Sequence, residues 1–283
     1  MEKLLKGAPV AAALNEKTAA DAAVLRERGI VPLLAILRVG ERPDDLAYER
    51  GAMKRCAGVG IETRNVVLPA DVSQDTLLAE LDALNRDDAV HGILLFLPLP
   101  KHLDGEAVRC ALCPEKDVDG ITDGSLAGVF TGAGTGFPPC TAQASMEILD
   151  YYGIDCAGKR AAVIGRSLVI GRPAAMLLMQ KNATVTICHS KTADLPAAAR
   201  EAEILLVAAG QMEHFGSEYL RPGQVVVDVG IGWNEEKGKL CGDVRFDEAV
   251  EIVEAITPVP GGVGAVTTAV LARHVVEAAD RCI

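Results

Sequence analysis

Residues 159–190 read KRAAVIGRSLVIGRPAAMLLMQKNATVTICHS, and this stretch decides the fold of the second half of the chain. An apolar strand, KRAAVIG, is followed by a glycine turn, a segment of helix length and a second strand, ATVTIC. Two more apolar strands follow at similar spacing, AEILLVAAG and GQVVVDVG. Short apolar strands separated by helix-length segments are typical of a doubly wound, parallel nucleotide-binding sheet. We therefore predict a Rossmann-type domain over residues 141–263.

The first half of the chain also alternates between helical and strand patterns. The predicted elements are an amphipathic helix at 14–28, a strand at 31–39, a helix near 44–58, and strands around 66–69 and 90–97. Such alternation predicts a mainly parallel sheet with helices packed on it.

Two further segments complete the predicted organisation. Residues 105–140 are rich in glycine and irregular, which predicts a loop that crosses between domains. A last helix follows the glycines of PVPGGVG. The sequence therefore predicts a two-domain α/β fold, with a first domain over residues 1–140 that is completed by residues 264–283.

Composition limits the classes of partner. The 283 residues include 39 Asp and Glu against 28 Lys and Arg, a net charge of -11, and this argues against a nucleic-acid-binding protein. The sequence contains no apolar run of the roughly 18 residues that a membrane span needs, so we predict a cytoplasmic protein with no membrane contact. Cys110 and Cys113 form a CxxC without a second pair or a nearby histidine, which predicts helix-packing thiols and no metal site.

The turn after the first strand of the second domain is a candidate cofactor site. Its spacing is Gly165, Ser167, Gly171, which is not GxGxxG, but it joins a strand to a helix start where free backbone amides can bind phosphate. A glycine in this place also fits simple turn geometry. The position of the turn at the head of four strand repeats favours the cofactor interpretation.

The end of the next strand bears on which nicotinamide cofactor is used. NAD enzymes place a carboxylate there to bind the ribose hydroxyls, whereas this chain has His189, Ser190 and Lys191. With Arg166 in the glycine turn and no carboxylate to repel a 2′-phosphate, NADP is predicted over NAD. The alternative is that Arg166 and Lys191 are ordinary solvated charges.

Five motifs together resemble the methylenetetrahydrofolate dehydrogenase/cyclohydrolase family. They are PEKDVDG (114–120), PPCTAQ (138–143), GRSLVIGRP (165–173), ATVTICHS (183–190) and TPVPGGVGAVT (257–267). Their order and spacing carry the resemblance over almost the whole chain. It implies two α/β domains flanking a cleft, NADP as cofactor, a tetrahydrofolate derivative as substrate and a homodimer.

The resemblance also implies roles for individual residues. The implied cofactor contacts are Gly165, Arg166, Ser167, Ser190 and Ile231. The implied substrate contacts are Tyr48, Phe96, Asp119, Pro260, Gly261, Gly262, Val263 and Thr267. Asp119 is implied as the pterin anchor, and a carboxylate can accept paired hydrogen bonds from an amino-pyrimidinone edge. Asp117 fits an ordinary Asp-Gly-type turn equally well, so only the resemblance selects Asp119.

Two departures of this chain from the family bear on catalysis. The family has a Tyr followed four residues later by a Lys, whereas Tyr48 is followed by Ala52. Lys54 is the nearest lysine and a third catalytic candidate beside Tyr48 and Asp119, but it lies roughly 120° around the helix from Tyr48, which favours a solvated surface role. Phe96 stands where the family usually has a Gln, and could stack beside a folate ring.

Both departures affect the hydrolytic half-reaction, because Ala and Phe cannot assist attack by water. We therefore predict that NADP-dependent oxidation of methylenetetrahydrofolate persists and that cyclohydrolase activity is weak or absent. One alternative keeps both activities. Another, of a different class, is a folate- or nucleotide-binding protein without turnover.

Overall fold

A computed structural model describes residues 3–282, apart from the side chain of Asp44. The described chain divides into two compact units. The first unit comprises Ala13–Cys140 and the residues from Thr268 onward, and the second comprises the residues up to Ala12 together with Thr141–Thr267. Each unit contains a parallel sheet with helices, so the predicted two-domain α/β fold is confirmed.

The first unit has a three-stranded parallel sheet. Its strands are β1 (Leu33–Val39), β2 (Glu62–Leu68) and β3 (Gly92–Leu95), in the order β2-β1-β3. The helices that lie wholly or mainly in this unit are α1 (Gly7–Glu27), α2 (Pro43–Gly58), α3 (Gln74–Arg86), α4 (Gly105–Ala111), α5 (Asp123–Thr131) and, at the C-terminal end, α10 (Gly264–Arg281). Because β1 is the central strand, its apolar residues from Leu34 to Leu37 are fully buried.

The predicted loop over 105–140 is wrong for residues 105–111 and 123–131, which form α4 and α5. The Thr122 side chain caps α5 by accepting a hydrogen bond from the Ser125 amide, and Gly132 ends it in the left-handed conformation. Position 128, inside this helix, requires glycine, because a Cβ there would lie 2.0 Å from the Thr135 carbonyl oxygen. These glycines therefore serve close packing as well as turns, and composition alone did not separate the two uses.

The second unit has a five-stranded parallel sheet in the order β10-β7-β6-β4-β5. Its strands are β4 (Arg160–Ile164), β5 (Thr184–Cys188), β6 (Ile204–Val207), β7 (Val225–Asp228) and β10 (Ala255–Ile256). The other elements are α6 (Cys140–Tyr151), α7 (Gly171–Gln180), α8 (Leu195–Glu201), α9 (Phe246–Ile252) and the antiparallel hairpin of β8 (Gly232–Asn234) and β9 (Lys239–Cys241). The strand order reverses between β4 and β6, and ligands of such sheets bind at the carboxyl ends of the strands at this switch point.

The N-terminal residues group with the second unit, whereas the sequence prediction placed them in the first domain. The Leu5 amide donates to the Ile256 carbonyl oxygen at 2.9 Å, and the Ile256 amide donates to the Lys3 carbonyl oxygen at 2.9 Å. This backbone pairing with β10 is remote in sequence and has no local signal. The outermost residues of the predicted first domain, Met1, Glu2 and Ile283, lie outside the described residues.

Among residues 3–282, no helix is both long and apolar enough to cross a bilayer. The same residues bring together no group of three or more His, Cys, Asp or Glu side chains that could hold a metal ion. Cys110 is exposed on α4, so the predicted packing role is wrong for this thiol. Cys113 is half-buried beyond the helix, with its sulfur 3.3 Å from a carboxylate oxygen of Glu115.

Candidate active site

The glycine turn after β4 is closed tightly on itself. Gly165 has a φ of 122°, and a Cβ there would lie 2.2 Å from the carbonyl oxygen of Ala208, just after β6. A Cβ on Gly171 would lie 2.3 Å from the Gly165 carbonyl oxygen. Only glycine fits at either position, because the backbone segments approach too closely for a side chain. The turn therefore presents bare backbone at the switch point of the sheet.

Polar side chains surround this turn. The Ser167 hydroxyl accepts a hydrogen bond from the Ile170 amide at 3.2 Å and so orders the entry to α7. Arg166, Ser190 and Lys191 are exposed, the last two just beyond the end of β5. The structure thus leaves two cations and two hydroxyl groups available near the carboxyl ends of β4 and β5.

Two buried carboxylates hold the loops that follow β6 and β7. The Asp243 carboxylate accepts hydrogen bonds from the amides of Ala209 and Gly210 at 2.7 and 2.8 Å. The Asp228 carboxylate accepts from the amides of Gly230, Asp243 and Val244 at 3.0, 3.1 and 2.9 Å. Burial raises the pKa of Asp228 to about 7, although these backbone donors oppose the shift.

Sequence reasoning missed both of these aspartates. An Asp at the end of the apolar strand VVVDVG was a visible signal, because a buried carboxylate needs several donors. No local pattern indicated that two of the donors to Asp228 are the amides of Asp243 and Val244.

A cavity of about 470 Å³ lies within the second unit, beside the loop after β7. Ile231, which is 64% exposed, contributes to its wall together with Pro260, Gly261, Gly262 and Val263. The other lining residues include Thr141, Ile170, Val229 and the predicted Thr267. The structure thus brings a predicted cofactor residue and five predicted substrate residues to one cavity.

Three predicted substrate residues lie close together in the first unit. The rings of Tyr48 and Phe96 meet edge to face, with centroids 6.0 Å apart. Burial raises the pKa of the Tyr48 hydroxyl well above its usual value, and the negative charge of Asp119 raises it further. Burial also raises the pKa of Asp119 to about 7, against the effect of a hydrogen bond from the Cys140 thiol. Tyr48, Phe96 and Asp119 therefore form one cluster, which we call the tyrosine cluster.

The structure separates the two aspartates that the sequence left as alternatives. The fully buried Asp117 carboxylate accepts hydrogen bonds from the Ile121 amide, the Thr122 amide and the Ser125 hydroxyl at 3.0, 2.7 and 2.7 Å. Asp117 is thus the turn-forming residue, with its oxygens engaged by the chain. Asp119 is half-buried and keeps acceptor capacity.

On α2, Lys54 and Tyr48 have different surroundings. Ala52 is 0% exposed, one helical turn after Tyr48 on α2. Lys54 is exposed and lines a separate surface cavity of about 430 Å³ with Asn15 and Arg55. Among the described residues that line this cavity there is no member of the tyrosine cluster. The structure does not bring Lys54 to Tyr48.

A buried ion pair next to Tyr48 was also missed. Arg38 and Glu49 are each 7% exposed, and the Arg38 Nε donates to a Glu49 carboxylate oxygen at 2.6 Å. Asn65 donates to the other carboxylate oxygen at 2.6 Å. Because Glu49 follows Tyr48 on α2, these bonds join the helix to β1 and β2 and fix the position from which Tyr48 projects.

Two matches to described families cover most of the chain. Residues 5–119 match "Tetrahydrofolate dehydrogenase/cyclohydrolase, catalytic domain". Residues 139–283 match "Tetrahydrofolate dehydrogenase/cyclohydrolase, NAD(P)-binding domain".

Individual proteins are similar over the full length. "Bifunctional protein FolD" from Carboxydothermus hydrogenoformans is 51% identical over 281 residues, which is 99% of this chain and 98% of that protein. The crystal structure of the bifunctional FolD methylenetetrahydrofolate dehydrogenase/cyclohydrolase from Campylobacter jejuni has a TM-score of 0.95 at 39% identity and covers 99% of both chains. The Trypanosoma brucei methylenetetrahydrofolate dehydrogenase-cyclohydrolase, crystallised with NADP cofactor and inhibitor, has a TM-score of 0.90 at 36% identity and covers 98% of this chain and 97% of its own.

Proposed function

The chain belongs to the tetrahydrofolate dehydrogenase/cyclohydrolase family, and on this basis we propose that it oxidises 5,10-methylenetetrahydrofolate to 5,10-methenyltetrahydrofolate with NADP. The observation that carries the proposal is the cavity of the second unit, where Ile231 and the glycines of PVPGGVG lie together. Such a cavity fits a nicotinamide ring and the reacting end of a folate, because both need bare backbone at close range.

The residues around β4 and β5 fit NADP. The Gly165 turn offers backbone amides to a pyrophosphate, and Ser167 and Ser190 offer hydroxyl groups. The exposed guanidinium of Arg166 suits a 2′-phosphate, and the three residues after β5, His189, Ser190 and Lys191, include no carboxylate to repel it. When bound, NADP supplies the acceptor for the hydride. This chain's part is to bind the cofactor, orient it and exclude water.

The tyrosine cluster fits the pterin end of a folate. The Asp119 carboxylate can accept two hydrogen bonds from an amino-pyrimidinone, provided that it is ionised. Its pKa of about 7 makes it partly protonated at neutral pH, so substrate binding should strengthen as the pH rises through that value. Tyr48 and Phe96 supply an edge-to-face aromatic wall for a planar ring.

Hydride transfer needs no proton-transfer group at Ala52. The methylene carbon gives up a hydride, that is one hydrogen nucleus and two electrons, and the product is the methenyl cation. The main requirement is that this carbon be held against the nicotinamide, which is a matter of positioning. We therefore assign Tyr48 and Asp119 to binding and orientation of the substrate.

The second activity of the family has two candidate outcomes. A fully buried Ala52 and the apolar Phe96 offer no group that could activate water, which supports weak or absent cyclohydrolase activity. The similar proteins from Carboxydothermus hydrogenoformans and Campylobacter jejuni are named bifunctional, which favours a chain with both activities. In the second case, ordered water or another group of this chain would replace the missing lysine.

One assay separates these outcomes. Purified protein is mixed with methylenetetrahydrofolate and NADP, and NADPH and the methenyl product are followed together against a control without enzyme. If NADPH and the methenyl product rise by equal amounts, and the methenyl product then decays only at the rate of the control, the protein is a monofunctional dehydrogenase. NADPH without methenyl product supports both activities, and tight folate binding without NADPH supports the non-catalytic alternative. Replacing NADP by NAD should lower kcat/KM at least about tenfold.

We also propose a homodimer that forms through the exposed edge of the second sheet. β5 is an edge strand of the five-stranded sheet, and the side chain of its residue Ile187 is 38% exposed. The strand carries no charged residue that would oppose pairing with a second copy. A twofold pairing of two such edges would satisfy the unpaired backbone groups of both copies. Light scattering should give a dimer for the wild type and a monomer for Ile187→Lys, and a monomeric wild type would refute the proposal.

A further inference from the structure

A buried imidazole lies beneath the segment that carries Asp119. His274, on α10, is 1% exposed, and its Nδ1 is 2.9 Å from the carbonyl oxygen of Val118. A carbonyl oxygen can only accept, so Nδ1 must carry the proton of this hydrogen bond. Burial lowers the pKa of His274 to about 3, so the ring is neutral at physiological pH. The tautomer is therefore fixed by the Val118 carbonyl.

The Cys140 thiol lies between the same carbonyl and the Asp119 carboxylate. The thiol donates to the Val118 carbonyl oxygen at 3.3 Å, and its sulfur is 3.7 Å from His274 Nδ1. The Asp119 side chain is a second acceptor for the same thiol. Burial raises the pKa of this thiol well above its usual value, so it stays protonated. One S–H proton thus faces two acceptors, of which the carboxylate is the stronger.

The imidazole can take only a narrow range of orientations. Its ring lies 4.9 Å from the ring of Phe137, tilted by 32°. The guanidinium carbon of Arg281 lies 4.1 Å from the centre of the Phe137 ring, and Arg281 donates to the Gly136 carbonyl oxygen at 2.9 Å. This packing aims Nδ1 at Val118, so the donor group matters as well as the volume of the side chain.

We propose that His274 is a positioning residue for the folate site: by donating to the Val118 carbonyl at shorter range than the Cys140 thiol does, it frees the thiol to donate to the Asp119 carboxylate. The inference rests on the proposed function, in which Asp119 accepts the pterin edge. If His274 loses its donor, the thiol is the remaining side-chain donor to the Val118 carbonyl and stays with it, because an unpaired buried carbonyl is costly. Asp119 then loses the donor that favours its ionised form.

Other ionisable groups also act on this cluster. The charge of Asp117 disfavours the charge of Asp119, and the charge of Asp119 in turn raises the pKa of Tyr48. Arg273 and Arg281, on α10, act on His274 and disfavour its protonation. None of these groups changes in the variants below, so a shift in the pH profile reports on the thiol and the imidazole.

The main comparison is between His274→Leu, which removes the donor, and His274→Asn, which keeps an N–H near the position of Nδ1. His274→Leu should raise the KM for methylenetetrahydrofolate about tenfold, the equivalent of one lost hydrogen bond to a charged group, with kcat and the KM for NADP within about twofold. His274→Asn should restore the folate KM to within about threefold of the wild type. An unchanged folate KM in His274→Leu would overturn the proposal.

A pH profile and a double variant give a sharper test. The acid limb of the pH profile of kcat/KM for methylenetetrahydrofolate should move to higher pH in His274→Leu and in Cys140→Ala, because Asp119 loses the donor that favours its ionised form. The limb should stay in place in Cys140→Ser, which keeps a donor. Because both changes remove the same hydrogen bond, His274→Leu with Cys140→Ala should move the limb no further than either alone. Additive shifts would refute the coupling.

His91 provides a matched control. It is also a buried histidine of the first unit, but it accepts a hydrogen bond from the Leu33 amide at 3.2 Å, at the start of β1. His91→Leu should lower the stability and leave the folate KM and the acid limb unchanged. Equal shifts in both leucine variants would mean that His274 has only a structural role.

Two spectroscopic measurements do not depend on turnover. Nitrogen-15 NMR of the free protein should show His274 neutral with its proton on Nδ1, and a proton on Nε2 would overturn the proposal. The S–H stretch of Cys140, identified by difference from Cys140→Ser, should change in His274→Leu but not in His91→Leu. A wild type that forms no NADPH would refute the proposed function, whereas an unchanged S–H stretch in His274→Leu would refute this inference.

Discussion

The glycine loops of the second unit are shaped by backbone, whereas the tyrosine cluster of the first unit is formed by side chains. Gly165, Gly171 and Gly262 lie where an added Cβ would come within 2.2, 2.3 and 2.6 Å of a carbonyl oxygen, so those loops are defined by backbone. The tyrosine cluster is defined by side chains whose ionisation depends on burial and on one another. A backbone site tolerates no added atoms, whereas a side-chain site can exchange its chemistry without a change of fold.

This difference matches where the chain departs from its family. The glycine motifs that resemble the family are present, and the two departures, Ala52 and Phe96, lie beside Tyr48. A dehydrogenase needs chiefly that its two substrates be positioned, while hydrolysis needs a group that moves protons. If the proposal of a monofunctional dehydrogenase holds, the side-chain site has lost one activity while the backbone site keeps the other.

The largest expected effect comes from adding one methyl group to the backbone site. Gly165→Ala combines a φ of 122° with a Cβ 2.2 Å from the Ala208 carbonyl oxygen. We expect the KM for NADP to rise at least about 100-fold and the free energy of unfolding to fall by about 1–3 kcal/mol. Steady-state kinetics and urea unfolding measure the two. Gly105→Ala, with no atom within 4 Å of its Cβ, is the control, and equal losses in both variants would contradict the comparison.

The next effect is expected in the side-chain site. Asp119→Asn removes the charge that, in the proposed function, accepts the paired hydrogen bonds of the pterin, so kcat/KM for methylenetetrahydrofolate should fall about 30-fold. The Kd for NADP, measured by calorimetry, should not change, because Asp119 is not among the residues proposed to bind the cofactor. A parallel loss of NADP affinity would show that the two sites are not separable.

As the pH rises toward 7, the contribution of Asp119 to the stability of the fold should fall while its contribution to substrate binding should rise. Because the pKa of Asp119 is raised to about 7 in the folded protein, folding favours the protonated carboxyl, and this contribution is lost as the pH rises from about 4 to 7. Asp119→Asn should therefore be more stable than the wild type at pH 8, by about 1–3 kcal/mol, and the gain should vanish near pH 4. Asp228 titrates in the same window and stays in both proteins, so the difference reports on Asp119. Urea unfolding at several pH values measures it, and a gain that grows toward low pH would be the wrong sign.

A smaller effect is expected from restoring the family side chains. Ala52→Lys with Phe96→Gln should raise the rate of methenyl hydrolysis about tenfold above the wild type, since a positioned acid or base accelerates such steps. Ala52→Lys alone should do less, because a lysine at this fully buried position tends to lose its charge. Decay of methenyltetrahydrofolate measures the rate, and no gain in the double variant would mean that other residues govern hydrolysis.

The smallest effect is expected at Lys54. This side chain is exposed and lies outside the tyrosine cluster, so Lys54→Ala should leave oxidation, any hydrolysis and the stability unchanged, the last within about 0.5 kcal/mol. A lost hydrolytic activity in this variant would give Lys54 the role of the missing family lysine.

Much of the fold could be predicted because its signals are local. The apolar strands β4 to β7 and the turn at Gly165 are each contiguous in the sequence and have the spacing of a doubly wound sheet. Helix α5 was missed because its glycines permit close packing, of Gly128 against Thr135 and of Gly124 against Pro114, and composition cannot distinguish such glycines from those of a loop.

The sequence by itself determined the class of fold, the family, and the absence of a lysine one turn after Tyr48. Only the tertiary structure decided which aspartate is engaged in a turn, which carboxylates hold the loops after β6 and β7, and that Arg38, Glu49 and Asn65 form one buried network. It also brought His274 to Val118, 156 residues away. The physical reason is that a strand or turn depends on neighbours in the chain, whereas burial and hydrogen bonding of a side chain depend on segments that only folding brings together.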